Sequence, residues 1–481
     1  MHLSDKPTSS SEKPSGDTNL FSNEPWWRAL NGYHWFVLVM AALGWLFDTM
    51  DQQLFVLVRT PALGELLATN DKTVLTVYGS WATTIFIVGW ATGGLIFGLF
   101  GDRWGRARTM MLTILMYSIF TGLSALSRSW WDFAAYRFLT GMGVGGEFAA
   151  GVSLVAEVMP AHARPYALGL LQALSAVGNM MAAGLSFLLP PQLEVNGVQG
   201  WRLLFLIGII PALLVVLMFR KLREPDSWLR AKEAIVHGEK KDELHRQMGD
   251  LTELFRDPRW RYHTMIGVTL AAAGVMGLWG VGFWTPELVR NNVLSGMDSQ
   301  WQDWYASWAM LLQNFGAFFG IYAFTRITAL AGRRATFALS FLLGLGATVL
   351  VFGFMTRPSQ IWWMTPLLGF CGLMVFGGFA IYFPELFPTR LRSTGTGFCY
   401  NVARYLAAAA PFMLGQLANW YLAPAGTERA AAKLSNLTWL SSLGSVDNSF
   451  RYATLTVALI YVIGLLILPF APETKGKPLP E

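Results

Sequence analysis

The sequence is short of charge. Asp, Glu, Lys and Arg make up only 14% of its 481 residues, against about a quarter in ordinary soluble proteins. So few charges would not keep the surface of a soluble chain this long in water. Cysteine is nearly absent: Cys371 and Cys399 both lie in apolar stretches, and no Cys-x-x-Cys spacing occurs, so neither a structural disulfide nor a zinc site is expected. None of the six histidines lies midway along an apolar segment, which excludes a His-based proton relay or metal centre there. No Gly-x4-Gly-Lys-Ser/Thr loop is present, so ATP does not drive the protein directly. With no nucleophile motif and no convergent catalytic set, an enzyme is not expected, nor is a cofactor. The net charge of +6 comes from basic residues scattered over many short segments, which is no footprint for nucleic acid. The first 25 residues are polar, rich in Ser and Pro, and lack the apolar core of a signal peptide. They read as a disordered tail, with the first apolar segment acting as the insertion signal.

What the chain has instead is apolar length. Hydrophobic residues make up 53%, and a bilayer-spanning helix needs about 20 of them in succession. Twelve such segments are expected at roughly 35–58, 74–100, 109–127, 132–156, 165–188, 203–220, 264–289, 304–325, 335–355, 361–383, 394–420 and 452–470. They run continuously, without the alternation of barrel strands. The 21 tryptophans include Trp26-Trp27, Trp130-Trp131, Trp301/Trp304/Trp308 and Trp362-Trp363, placed as interfacial belts. Taken alternately, the connections on one side carry 25 Lys and Arg and those on the other 9, with Arg137 and Arg404 inside spans. The rich side is expected to be cytoplasmic, putting both termini and the charged 221–262 stretch inside an inner (plasma) membrane and requiring an even number of spans.

The chain repeats itself. Glu157-x-x-Pro160-x-x-x-Arg164 recurs as Glu385-x-x-Pro388-x-x-x-Arg392, 228 residues later, and Gly169 falls on Gly397 at the same offset. Gly105-Arg106 stands opposite Gly332-Arg333 near that offset, although Asp102 has no acidic counterpart there. The expected fold is therefore an all-α membrane protein of twelve transmembrane helices in two pseudo-symmetric six-helix bundles. We divide it into a tail (1–30), a first bundle (31–220), a linker (221–262), a second bundle (263–470) and a closing tail (471–481). In transporters built this way the solute site lies between the halves near mid-membrane.

Three motifs carry a family resemblance: Gly98-Leu-Phe-Gly-Asp102-Arg103-Trp-Gly105-Arg106 after the second span, Arg137-x-x-x-Gly141-x-Gly143-x-Gly145-Gly146 on the fourth, and the closing Pro472-Glu-Thr-Lys-Gly476. Together they resemble the major facilitator superfamily over essentially residues 30–477. The resemblance implies a gating latch in which Asp102, Arg106, Glu157 and Arg164 pair across the cytoplasmic faces while the cavity opens outward. Arg333, Glu385 and Arg392 would do the same in the second half, more weakly for want of the missing acid. Gly141 and Gly145 have the small-xxx-small spacing of close helix packing, a readier role for them than solute contact.

Five charges fall within spans: Asp48, Asp51, Arg137, Glu147 and Arg404. At roughly 2.5–3.5 kcal/mol each, they must pair, neutralise or face water. Asp48 and Asp51 share a helix face one turn apart, and two like charges so close are relieved by taking up a proton. In proton-coupled members of the superfamily, an acid on the first span and this motif's arginine form a pair, so Asp48, Asp51, Arg137 and Glu147 are the coupling candidates. A permanent structural ion pair between the first and fourth spans is the alternative. Glu147 lies about 15 Å beyond Arg137 along the helix and is not expected to be its partner.

On the eleventh span Asn401 and Arg404 stand one turn apart, and a guanidinium there can hold a carboxylate with two hydrogen bonds. The local wording, with Gly146-Glu147 and Gly169-Leu-Leu-Gln172, resembles the sialate:proton symporter branch, which includes lactate and pyruvate carriers. Asp48-Thr-Met-Asp51 resembles the Asp-Gly-x-Asp of aromatic-acid:proton symporters, with Thr49 in place of glycine. Arg404, Asn401, Gln172 and Asn314 are the candidate solute contacts; Asn179 and Gln313 are further polar residues in spans. The expected protein is a monomeric, proton-coupled symporter of a small organic anion such as a monocarboxylate or sugar acid, its partners the solute, protons and the lipid bilayer. A sugar:proton symporter and a multi-solute exporter remain as alternatives within the family, and a membrane receptor or intramembrane enzyme outside it.

Overall fold

A computed structural model describes residues 25–190, 193–195, 197–237, 248–408, 417 and 449–480. The N-terminal tail to residue 24, the middle of the linker, the end of the eleventh expected span and nearly all of the 422–450 loop, with its Asn436-Leu-Thr438 triplet, lie outside the described residues. The first half contains α1 (Gly32–Leu66), α2 (Lys72–Arg103), α3 (Arg106–Ser124), α4 (Trp130–Val158), α5 (Arg164–Leu188), α6 (Gly200–Ile207) and α7 (Ala212–Lys221). A linker helix, α8 (Asp226–His237), leads to α9 (Pro258–Gly280), α10 (Ser299–Ala331), α11 (Arg333–Phe354), α12 (Pro358–Leu386), α13 (Arg392–Ala408), α14 (Ser449–Ala458) and α15 (Ile460–Ile467). A two-residue hairpin, Glu194–Val195 against Val198–Gln199, is the only strand pairing among the described residues.

Local chemistry explains where the helices begin. Asn31 opens α1 with a capping box: its side chain accepts from the His34 amide at 2.8 Å while its own amide donates to His34 Nδ1. Ser129 and Asp132 do the same for α4. Each arrangement satisfies donors that the first helical turn leaves unpaired. Gly105, at φ +124°, turns the chain from α2 into α3, and Gly332, at φ +87°, makes the matching turn from α10 into α11; side chains rarely tolerate this backbone.

Within the described residues each expected span contains helix, and nine helices there are long and apolar enough to cross a membrane. Three expected spans prove broken, the twelfth between α14 and α15 at Leu459. The sixth is divided into α6 and α7 at Gly208 and Pro211, and the seventh stops at Gly280, where Val281 leaves helical geometry at φ −130°, ψ −68°. The chain then continues through short turns over 282–293 that include Pro286. Glycine and proline both weaken the helical hydrogen-bond ladder.

The halves share one packing plan. In the first, α2 and α3 pack on α4 and α1 on α5; in the second, α10 and α11 pack on α12 and α9 on α13. The halves meet where α2 lies on α13 and α5 on α10. Between helices in lipid the apolar effect is weak, so close backbone contact matters more. Gly145 shows this: a Cβ there would run into the Trp90 carbonyl oxygen of α2. Gly145→Val is therefore expected to cost about 1–3 kcal/mol through overpacking, seen as earlier thermal unfolding of the purified protein. An unmoved melting curve would mean that the α2–α4 contact is not tight in solution.

Candidate functional site

Three connected cavities run between the halves. The widest, about 620 Å³, opens at the end of α1, α5 and the start of α10, away from the arginine-rich face. Inward it narrows to a chamber of about 120 Å³ lined by Gln53, Arg59 and Asn314 among others, and then to a central pocket of about 90 Å³. Asn179 borders all three and donates to Asn314 Oδ1 at 2.8 Å, bridging α5 and α10 across the path.

The central pocket is walled by Trp45, Trp90, Trp279, Phe376 and Tyr400, with Gln52, Gln172, Ser175 and Arg404 as its polar groups. Arg404 is 3% exposed. Its guanidinium carbon sits 3.7 Å from the Trp90 ring centroid and 4.0 Å from that of Tyr400, and its Nη1 donates to Asn401 Oδ1 at 2.6 Å. Cation–π contacts of this kind are worth up to about 2 kcal/mol when desolvated. Among the described residues no carboxylate lies within ion-pair distance of Arg404. Asn401 does not line the pocket; it is fully buried, donates to the Gly397 carbonyl at 2.7 Å and accepts from Arg404. Asn401, expected among the solute contacts, spends its amide on Gly397 and Arg404. Gln172 lines the pocket as expected, while Asn314 lies one chamber outward.

The four coupling candidates separate into two groups. Arg137 reaches Asp51 at 3.6 Å, ion-pair distance but longer than a hydrogen bond. Its remaining donors go to Ser124 Oγ at 2.7 and 3.1 Å and Thr140 Oγ1 at 3.1 Å, and its guanidinium lies 4.5 Å from the centre of the Phe205 ring. Asp48, fully buried, has no cation within ion-pair distance among the described residues. It stands in the field of Glu147 and Asp51 on one side and of Arg404 on the other. Glu147 lies against the α1 backbone at Gly44, one turn before Asp48, so close that a Cβ on Gly44 would fall 2.8 Å from its Oε1. The Tyr117 hydroxyl donates to the Gly44 carbonyl at 3.2 Å.

At the arginine-rich face the two halves are joined by buried charge. Arg106 holds Asp102 at 3.0 Å and Glu157 at 3.1 Å. Glu157 also takes Arg392 of the other half at 2.8 Å. Asp102 crosses the interface as well, accepting from the amides of Ser393 and Thr394 at 3.1 and 2.8 Å, the orphan donors at the start of α13. In the second half Arg333 pairs with Glu385 at 2.7 Å. Arg164, expected among these partners, enters no ion pair among the described residues; Glu157 is instead taken up by Arg106 and Arg392. The linker braces the face: Ser227 donates to Glu157, Trp228 Nε1 to the Asp102 carbonyl, and Arg390 pairs with Glu253.

Sequence reasoning missed two acids here. Glu224 accepts from the amides of Ala107 and Arg108, and Glu473 from those of Arg333 and Arg334, so each caps the helix after the glycine turn of its own half. Burial works against charge on Glu473, but the Arg333, Lys475 and Arg334 amides outweigh it and hold the carboxyl below its usual range. The two glutamates are 249 residues apart, which hides them from a search at 228. The missing partner of Asp102 is thus offset in part by Glu473, and Thr474 adds a hydroxyl to Glu385 at 2.6 Å.

A polar path between two like helical halves, open at one end and with buried charge joining the halves at the other, defines the class: an integral membrane transporter. The model of the Major Facilitator Superfamily matches residues 41–411, and the chain belongs to that superfamily. It is 30% identical to the cis,cis-muconate transport protein of Acinetobacter baylyi over 344 residues, which cover 72% of this chain and 79% of that protein. To the sialic acid transporter NanX of Escherichia coli it is 26% identical, over 82% of this chain and 90% of that one. Among solved structures, the proton:xylose symporter XylE bound to 6-bromo-6-deoxy-D-glucose superposes with a TM-score of 0.66 at 17% identity, covering 93% of this chain and 98% of the other. That likeness is one of fold.

Proposed function

We propose that this transporter carries a small organic carboxylate together with protons, by alternating access. One observation carries the reading: Arg404 is a buried cation at the pocket wall, in contact with two aromatic rings, with no carboxylate within ion-pair distance among the described residues. A buried charge is costly unless paired, and a solute carboxylate supplies the pair with two charge-assisted hydrogen bonds. The tryptophan and tyrosine walls favour a planar acid, in keeping with the muconate that a relative's name records. A neutral sugar would leave the guanidinium unpaired.

The proton is assigned to Asp48, with Glu147 beside it. Asp51 already has Arg137, so its charge is balanced, whereas Asp48 is buried without an ion-pair partner and a bound proton removes that cost. Because Asp48 and Arg404 sense each other, solute at Arg404 and proton at Asp48 are coupled through a single field. The arginine-rich face is assigned to the cytoplasm, with the cavity open outward.

Counterflow in proteoliposomes tests the reading. Labelled benzoate, nicotinate or muconate should exchange against the unlabelled acid, faster with an acidic exterior. Exchange of xylose or glucose with none of the acids would defeat it.

The ion pairs at the arginine-rich face are assigned as the gate. Asp102→Asn removes one charge from a buried pair and weakens two amide contacts; at about 1.5–3 kcal/mol for hydrogen bonds to a charged group, the population open to the cytoplasm should rise at least about tenfold. Ala149, whose Cβ faces Gly397 across the halves, provides the reporter. In a chain with Cys371 and Cys399 replaced by serine, Ala149→Cys should be labelled correspondingly faster from that side. Equal labelling rates with and without Asp102→Asn would remove the gate assignment.

A further inference from the structure

The first helix carries a second cation on the solute path that the transport reading above does not use. Arg59 belongs to the walls of both the open vestibule and the chamber beneath it. Its Nη1 donates to Thr83 Oγ1 at 2.6 Å, and that hydroxyl in turn donates to the Gly79 carbonyl at 2.8 Å. Gly79, one turn before Thr83 on α2, leaves room for the head: a Cβ there would fall 3.2 Å from Arg59 Nε. Thr83 uses one of five guanidinium donors. No carboxylate lies within ion-pair distance of Arg59 among the described residues, although Glu287 and Arg290 share the vestibule wall. Asp48 is eleven residues earlier on the same helix, about 16 Å deeper. The Asn179–Asn314 bridge borders the same two cavities as Arg59, and its Asn179 also lines the central pocket.

We propose that Arg59 forms an outer anion site, a first station for a carboxylate entering from the open side, separated from the Arg404 pocket by the Asn179–Asn314 bridge. A fixed guanidinium in a narrowing, low-dielectric chamber concentrates anions at its mouth. The bridge then sets a polar threshold that an incoming acid crosses by exchanging hydrogen bonds with two amides. That the anion is the transported solute rests on the carboxylate reading above; the existence of the site does not.

Gln53 lines the same two cavities as Arg59 and is the reporter position. In the full chain with Cys371→Ser and Cys399→Ser, Gln53→Cys is reacted with an anionic reagent, 2-sulfonatoethyl methanethiosulfonate, and a cationic one, 2-(trimethylammonium)ethyl methanethiosulfonate. Arg59→Gln should lower the anionic-to-cationic rate ratio by about twentyfold: one charge about 9 Å along the helix, in an effective dielectric of about 40, changes each rate about fivefold, in opposite directions for the two reagents. Arg59→Lys should keep most of the ratio, and Arg404→Ala should leave it unchanged. If Arg59→Gln fails to fold, Arg59→Met, closer in length, serves the same comparison. A ratio within twofold of the parent in the uncharged variant overturns the outer site. A ratio that falls while no acid exchanges in counterflow overturns the transport reading and leaves the site standing.

Discussion

Arg404→Ala is expected to reduce saturable carboxylate uptake by at least about 30-fold. Truncating one partner of a buried, hydrogen-bonded charge pair costs about 2–5 kcal/mol, and every 1.4 kcal/mol is a factor of ten. The proposed interaction rests on one residue: the Arg404 guanidinium lies against the Trp90 and Tyr400 rings and donates to Asn401. Arg404→Lys keeps the charge but loses the planar fork, so it should recover part of the rate, still about tenfold below the parent. Initial-rate uptake in proteoliposomes, with a thermal-unfolding control for intact folding, measures both. Unchanged saturation in the alanine variant would remove Arg404 from the solute site. Because Asn401 acts through Arg404, Asn401→Ala should fall between the two.

Asp48→Asn should separate exchange from accumulation. Asparagine approximates the protonated carboxyl in shape and charge, so a carrier locked in that form can still swap solute across the membrane. A pH gradient should then drive no concentrative uptake, while counterflow continues near the parental rate. Accumulation that persists in this variant, or loss of both activities together, would sink the proton assignment. Asp51→Asn makes the contrast. It leaves Arg137 buried without its only ion-pair partner among the described residues, and breaking such a pair costs about 3–5 kcal/mol. Its first effect should be lower thermal stability.

These outcomes turn on residues that were legible in the sequence to different degrees. Arg137, Asp51 and Glu147 stood out because charge inside an apolar span is costly, and the expectation that Arg137 pairs with the first span and not with Glu147 matches the geometry. Asp48 and Asp51 were indistinguishable in sequence, one turn apart on one face. Only the position of α4 against α1 gave Asp51 the arginine and left Asp48 beside Glu147. The expected first span ends at 58, one residue short of Arg59; α1 runs on to Leu66, and that extra length carries Arg59 into the path. Trp90 and Tyr400 had no sequence signal separating them from ordinary packing aromatics, because what marks them is the guanidinium between their rings.

By itself, the sequence determined the membrane class, the helical spans and the duplicated half. Those follow from properties summed over many residues: apolar length, charge sparsity, and a motif repeated at a constant offset. It also determined which charges must find partners, since the cost of burying a charge does not depend on where the helix lies. The tertiary structure decided the partners themselves. It gave Glu157 to Arg106 and Arg392 rather than Arg164, turned the Asn401 amide to Gly397 and Arg404, and set Glu224 and Glu473 on equivalent helix ends despite unequal spacing. Pairing depends on distances of a few ångströms between helices far apart in the chain, and in lipid those distances are set by close contacts such as Gly145 against Trp90, which no local pattern records.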